Sequence, residues 1–232
     1  MNRMFDLTDD QEELVEEGAE RFQHWLRQDE LPVIINRLKQ ARELWLSNQH
    51  HEAFKYFEEA SDLSSKEIMA AVSLELIPFF MTMTEENAQA YRGYKSERID
   101  DWFKSTQSKN DKAETTIERL EEWFGRLTSE QETAISELVV LVSNERQIRY
   151  DNNLQWTERF LKTALDKDQN ALENWLNDPS QWWTDGARNV YQNNRQQTVS
   201  VIKMILDSMT DRQTDHVTET VNDWIETLED LI

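Results

Sequence analysis

The stretch Glu118-Arg119-Leu120-Glu121-Glu122-Trp123-Phe124-Gly125-Arg126-Leu127-Thr128-Ser129-Glu130-Gln131 decides the fold class. Its first half closes an apolar stripe: Ile117, Leu120, Phe124 and Leu127 follow a 3-4-3 step, the spacing of one face of an amphipathic helix. Its second half opens the next helix. The Thr128 hydroxyl is placed to accept the backbone N–H three residues on, and the Gln131 side chain to reach back to the N–H of Thr128; together these make a capping box. Leu127 can pack on the following turn as a hydrophobic staple, and the acid in the first turn suits the positive end of the helix dipole. The stripe then resumes at Ile135, Leu138, Val139 and Val142.

Outward from this stretch the same box recurs. Leu7-Thr8-Asp9-Asp10-Gln11 and Met209-Thr210-Asp211-Arg212-Gln213 match it, and Met83-Thr84-Glu85-Glu86-Asn87 is a looser copy. Thr8, Gln11, Thr84, Asn87, Thr128, Gln131, Thr210 and Gln213 are therefore predicted helix-capping residues. Each cap is worth about 1 kcal/mol. The order of the boxes suggests an internal duplication, because Thr8 and Thr128 lie 120 residues apart and Thr84 and Thr210 lie 126 apart. At the second offset Leu76, Phe79, Phe80 and Met83 correspond to Ile202, Ile205, Leu206 and Met209. The expected organisation is repeat halves 5–126 and 127–232, packed as a single structural unit 1–232.

Only 4 glycines and 3 prolines interrupt 232 residues, too few for a chain of tight hairpins. An all-α protein is predicted, with about ten helices near 9–30, 32–48, 51–61, 65–82, 85–105, 111–126, 129–166, 169–177, 187–208 and 211–231. Pro32 either begins a helix or kinks a long one, and Pro78 poses the same choice. Asp178-Pro179 reads as a helix start, with the acid as N-cap. The polar segment 105–112 is the expected mobile loop.

Composition bounds the function. The 46 acids outnumber 25 bases for a net charge of −21, which repels phosphate backbones and disfavours nucleic acid and anionic lipid as partners. With 38% hydrophobic residues and a mean hydropathy of −0.81, an elongated or curved multi-helix bundle is expected rather than a sphere. There is no cysteine, hence no disulfide, thiol nucleophile or thiolate metal site.

No catalytic, cofactor-binding or metal-binding residues are predicted. His24 and His216 are isolated, and adjacent His50-His51 point about 100° apart on a helix, the wrong geometry for a shared metal. Asp166-Lys167-Asp168-Gln169-Asn170 opens like a calcium loop, but Ala171 stands where the turn glycine belongs and Asn177 where the closing acid belongs. No phosphate loop, nucleophile elbow or zinc-helix motif occurs.

The aromatics are more informative. Trp25, Trp45, Trp123, Trp175 and Trp224 lie on apolar stripes and are expected between packed helices. Trp182 and Trp183 sit between Asp178-Pro179 and Asp185-Gly186, where few neighbours can cover both rings. They either plug the last helices or anchor a partner. Tyr91, Tyr94 and Trp102 form a second candidate partner surface.

The stretch at 118–131, with Phe5-Asp6-Leu7-Thr8-Asp9-Asp10-Gln11 and Arg27-Gln28-Asp29-Glu30-Leu31-Pro32, resembles an uncharacterised family of gammaproteobacterial helical lipoproteins with repeated Leu-Thr-x-Glu-Gln boxes, over nearly the whole chain. The resemblance implies a periplasmic protein, anchored to the outer membrane in the full-length precursor by a lipid on an N-terminal cysteine. That anchor is not part of this sequence, which starts at Met1-Asn2-Arg3-Met4 just before the first box. The boxes are also similar to those of Spy-type periplasmic chaperones, helical cradles with basic surfaces; this chain is longer and acidic. The resulting expectation is a non-catalytic periplasmic protein that binds other proteins, in the manner of a holdase. The alternatives are a scaffold dedicated to one envelope partner, and a carrier of a small apolar ligand or an enzyme.

Overall fold

In the computed structural model, which describes residues 2–105, 109–140 and 145–232 (side chains of 4–105, 113–138 and 145–232), every regular element is helical. The elements are α1 (Asn2–Phe5), α2 (Asp9–Trp25), a π turn (Leu26–Glu30), α3 (Leu31–Leu46), α4 (His50–Thr82), α5 (Glu85–Lys104), α6 (Lys109–Phe124), α7 (Ser129–Val140), α8 (Glu145–Leu165), α9 (Gln169–Asn177), a 3-10 turn (Pro179–Trp182), α10 (Asp185–Asp207) and α11 (Asp211–Glu229).

Several boundaries differ from the sequence expectation. The helices expected at 51–61 and 65–82 are one, α4. The intervening Asp62-Leu63-Ser64 holds no helix breaker, and its polar groups are engaged: Arg195 reaches Asp62 at 2.6 Å and Arg37 donates to the Ser64 hydroxyl. Pro78 lies inside α4. The carbonyl it leaves without a backbone donor belongs to Leu74, whose residue is 75% exposed. Pro32 stands in the first turn of α3, directly after the π turn, so the chain stays helical across it with a local change of winding. The single helix expected over 129–166 is described as α7 and α8, on either side of 141–144. Residues 106–108 of the expected loop, and Val142 of the α7 stripe, lie outside the described residues. Asp178 caps the 3-10 turn rather than an α-helix, accepting the Ser180 N–H at 3.1 Å.

The chain divides into two compact units, each built from three segments. The first comprises Met1–Leu26, Ser65–Ser105 and Asn144–Val190; the second comprises Arg27–Ser64, Thr106–Ser143 and Tyr191–Ile232. This partition differs from the repeat halves drawn at 126, since each unit takes residues from both.

The core of the first unit is aromatic. Phe5 stacks on Tyr91 at 4.5 Å and meets Phe79 edge-on at 5.3 Å, while Phe160 meets Phe80 edge-on at 5.1 Å and lies 4.9 Å from Trp175. These are the offset and T-shaped arrangements that ring quadrupoles prefer. The core of the second unit is mostly aliphatic, with Ile135, Val201, Ile205, Leu206 and Val217 buried beside Trp45 and Phe124. Phe79, Phe80 and Met83 in the first core stand where Ile205, Leu206 and Met209 stand in the second, at the 126-residue offset.

Both units are pinned by the same device. All four threonine boxes are closed: the backbone N–H of Gln11, Asn87, Gln131 and Gln213 reaches its threonine hydroxyl at 3.4, 3.3, 3.3 and 3.3 Å. The amide of each box then meets the amide of the other box in its unit. In the first, Gln11 Nε2 donates to Asn87 Oδ1 at 2.9 Å, and Asn87 Nδ2 donates back to Gln11 Oε1 at 3.1 Å. In the second, Gln213 Nε2 donates to Gln131 Oε1 at 2.9 Å, with a longer return contact of 3.5 Å. Gln11 also donates to the Thr82 carbonyl (3.0 Å) and Gln131 to the Ser208 hydroxyl (3.0 Å). All four amides are nearly inaccessible to solvent. A carboxylate accepts but cannot donate, so among all the acids of this chain these four positions hold amides. Beside the second pair, Gly125 adopts φ +67°, and a Cβ there would meet His216 Cγ at 3.0 Å; both facts favour glycine at the end of α6.

Candidate binding site

In the second unit the apolar stripes of α3, α4, α6, α10 and α11 do not close completely. They leave a cavity of about 270 Å³. Trp45, Phe54, Phe57, Trp123, Phe124 and Val221 form much of its wall. The polar residues of the wall are Arg42 and Thr218. Thr218 is engaged, its hydroxyl donating to the Thr214 carbonyl at 3.0 Å. Arg42 Nη1 donates to Asn222 Oδ1 at 3.0 Å and Nη2 to Glu43 at 3.3 Å, but its Nε–H is buried with no hydrogen-bond partner among the described residues.

Trp123 extends this apolar lining to the surface. It packs 5.9 Å from Phe57 and lies parallel to Trp224, with ring centres 6.1 Å apart. The two residues are 37% and 50% exposed, so they do not lie between packed helices as their stripes suggested; Trp45 and Trp175 do. A stripe shows which face of a helix is apolar, not whether another element covers it. Among the described residues, the exposed large apolar side chains concentrate in this unit: Val33, Leu46, Leu63, Trp123, Trp224 and the terminal Leu231 and Ile232, against Leu74 in the first.

The first unit holds the aromatic residues expected to contact a partner. Trp182 and Trp183 line one pocket of about 460 Å³, with Leu154, Gln155, Glu158 and Arg159. Trp182 is half-buried, stacked on Trp175 at 5.5 Å with the Arg159 guanidinium 6.0 Å from its ring, so it plugs the last turn as well as facing the pocket. Glu158 is occupied by Arg92 at 2.7 and 3.0 Å, and that bond holds its carboxyl below the usual range. Tyr91 is a core residue, not a surface one: it is 6% exposed, and burial pushes its hydroxyl up to about 12. Tyr94 is half-buried with Arg98 5.6 Å from its ring, and Trp102 lies 5.3 Å from each of the Arg146 and Arg149 guanidinium groups. The second candidate surface is therefore split, with one member inside and two under cations.

A model of a family of unknown function, DUF6279, matches residues 3–188. The chain belongs to that family. No curated protein and no solved structure matches it. The DUF6279 match takes in the boxes at Thr8, Thr84 and Thr128 together with Trp123, Trp182 and Trp183. It stops before α11, which supplies Val221 to the cavity wall and Trp224 to the ring pair with Trp123.

Among the described residues, no group of three His, Asp or Glu side chains is placed to hold a metal ion, and no single helix is long and apolar enough to cross a membrane. Asp168 of the calcium-like segment instead caps α9, accepting the Ala171 N–H at 3.0 Å.

His50 packs on the cavity residue Trp45 at 4.3 Å, and its Nε2 is buried without a hydrogen-bond partner among the described residues. Burial, and then the neighbouring His51, hold its pKa below the usual 6.5. A histidine whose folded pKa is depressed stabilises the fold above its unfolded pKa, and that contribution disappears as the pH falls through the folded value. The urea midpoint should therefore drop on acidification from about pH 7.5 to about pH 5.5. His50→Phe should flatten that part of the profile; an equally steep profile in the variant would remove His50 as its cause.

Proposed function

We propose that this member of DUF6279 is a non-catalytic helical protein that binds other proteins, taking apolar side chains of flexible segments into the cavity of its second unit. One observation carries the reading: an apolar cavity that opens beside two exposed, parallel tryptophans. Apolar cavities with few polar groups select by shape and greasiness, because it is placed donors and acceptors that confer specificity. This wall offers little polar discrimination, which favours a holdase over a scaffold dedicated to one partner. Exposed indoles are also the residue type that dominates binding energy at interfaces. A periplasmic setting, with a lipid anchor on the full-length precursor, belongs to the same proposal and is supported by the lipoprotein resemblance.

The test is suppression of client aggregation together with binding of an apolar fluorescent dye. Trp123→Ala with Trp224→Ala should weaken both by about tenfold or more, the scale of losing two anchoring rings. Trp183→Ala, in the other unit, should leave both unchanged. A wild-type protein that neither binds the dye nor protects a client would end the reading. A loss confined to Trp183→Ala would move the site to the first unit.

A further inference from the structure

We infer that the pocket of the first unit binds a small aromatic carboxylate, its ring against Trp182 and Trp183 and its acid on Arg159. This site is separate from the cavity of the second unit, and neither reading depends on the other. The two indoles line a concavity of about 460 Å³, inside the usual ligand range of about 300–1,000 Å³, so they receive a body rather than project into one. The rings are held in place. Trp182 stacks on Trp175 at 5.5 Å. The turn that carries them is tied on both sides: Asp178 accepts the Ser180 N–H at 3.1 Å, and the Thr184 N–H donates to Asn152 Oδ1 at 2.8 Å. A wall fixed in advance loses little freedom when a ligand arrives.

Arg159 supplies the charge. It is exposed, lines the same pocket, and holds its guanidinium 6.0 Å from the Trp182 ring. Among the described residues its side chain has no hydrogen-bond or ion-pair partner, and a ring face attracts a cation without cancelling its charge. The one carboxylate of the wall, Glu158, is taken by Arg92 at 2.7 and 3.0 Å, so it does not compete for Arg159. The planar fork of a guanidinium matches both oxygens of a carboxylate, which favours an acid over the neutral amide of the same shape. Indoles gain from offset or edge contact with a second ring, which favours an aromatic body over a saturated one. The net charge of −21 opposes an anion, but α8 carries four bases to three acids, and charges more distant than about 10 Å are screened at 0.1 M salt.

Calorimetric titration of the full chain with three probes of one skeleton tests the inference: 2-naphthoate, 2-naphthamide and decahydro-2-naphthoate. Naphthoate should bind with a dissociation constant below about 1 mM. It should bind about tenfold more tightly than the amide, the scale of one charge-assisted bond, and about threefold more tightly than the saturated acid, the scale of one ring contact. Arg159→Leu should erase the preference for acid over amide, and Trp183→Ala should weaken naphthoate by about tenfold. Trp123→Ala with Trp224→Ala, in the other unit, should change none of this. Circular dichroism melts check that each variant folds. Equal binding of acid and amide, an acid preference that survives Arg159→Leu, or no binding of naphthoate would overturn the inference. Loss of naphthoate binding only in the Trp123 and Trp224 variant would overturn it too, by placing the ligand in the second unit.

Discussion

Asn87→Asp is expected to destabilise the protein by about 3 kcal/mol or more at neutral pH, although it exchanges one NH2 group for an oxygen. Asn87 Nδ2 donates to three acceptors: the carbonyls of Phe5 (2.9 Å) and Asp6 (3.0 Å), and Gln11 Oε1 (3.1 Å). The substitution points a carboxylate oxygen at three other oxygens in a site that is 2% exposed. Helix-dipole reasoning alone gives the opposite sign, since an acid in the first turn of a helix normally gains about 0.3–1 kcal/mol. Burial decides between them, because lost donors and a desolvated charge outweigh the dipole. The pH dependence has a definite direction. Burial among acceptors raises the folded pKa of the new carboxyl above the unfolded value of about 3.9. The penalty relative to wild type is therefore full above the folded pKa, and shrinks as the pH falls and the acid regains a proton to donate. Urea midpoints of both proteins at about pH 7.5 and about pH 4.5 measure it. A neutral or stabilising effect at the higher pH would mean that the buried amide pair does not pin the first unit.

Phe160→Ala should cost about 3–5 kcal/mol, the range for removing a buried ring and leaving a cavity. Phe160 is 1% exposed and its ring lies 5.1 Å from Phe80, 5.5 Å from Tyr91, 5.9 Å from Trp156 and 4.9 Å from Trp175. Rings around it cannot collapse into the gap as flexible aliphatic chains can, which puts the expectation at the upper part of the range. Against a typical total stability of about 5–15 kcal/mol, this is enough to populate unfolded states in a marginal domain. Chemical denaturation gives the loss, and the near-ultraviolet circular dichroism of Trp156 and Trp175 reports whether the cluster loosens. A loss below about 1 kcal/mol would show that the aromatic packing of the first unit is not what holds it.

The capping threonines and the apolar faces were legible in the chain because they are local. A box spans three residues, and a stripe repeats within a turn or two, so neighbours in sequence settle both. The same locality explains the misses. Nothing within a few residues of Ser64 could tell that Arg37 would engage its hydroxyl, and a gap drawn there split α4. Tyr91, Tyr94 and Trp102 read in the sequence as one candidate surface, but Phe5 covers the first and two arginines lie against the third. One signal was present and unread: the N3 position of all four boxes holds an amide in a chain crowded with acids. That pattern marks side chains that must donate as well as accept.

Taken alone, the order of residues determined an all-helical protein, where four of its helices begin, and which side of each is apolar, since all of these rest on interactions between residues no more than a turn or two apart. Tertiary structure decided which amide meets which, at separations of 76 and 82 residues. It also decided that Trp45 is buried while Trp123 and Trp224 are exposed, and that the stripes of the second unit leave a cavity with Arg42 in its wall. The reason is that burial, pairing and empty volume depend on what arrives from distant parts of the chain, and hydrophobic periodicity carries no record of that.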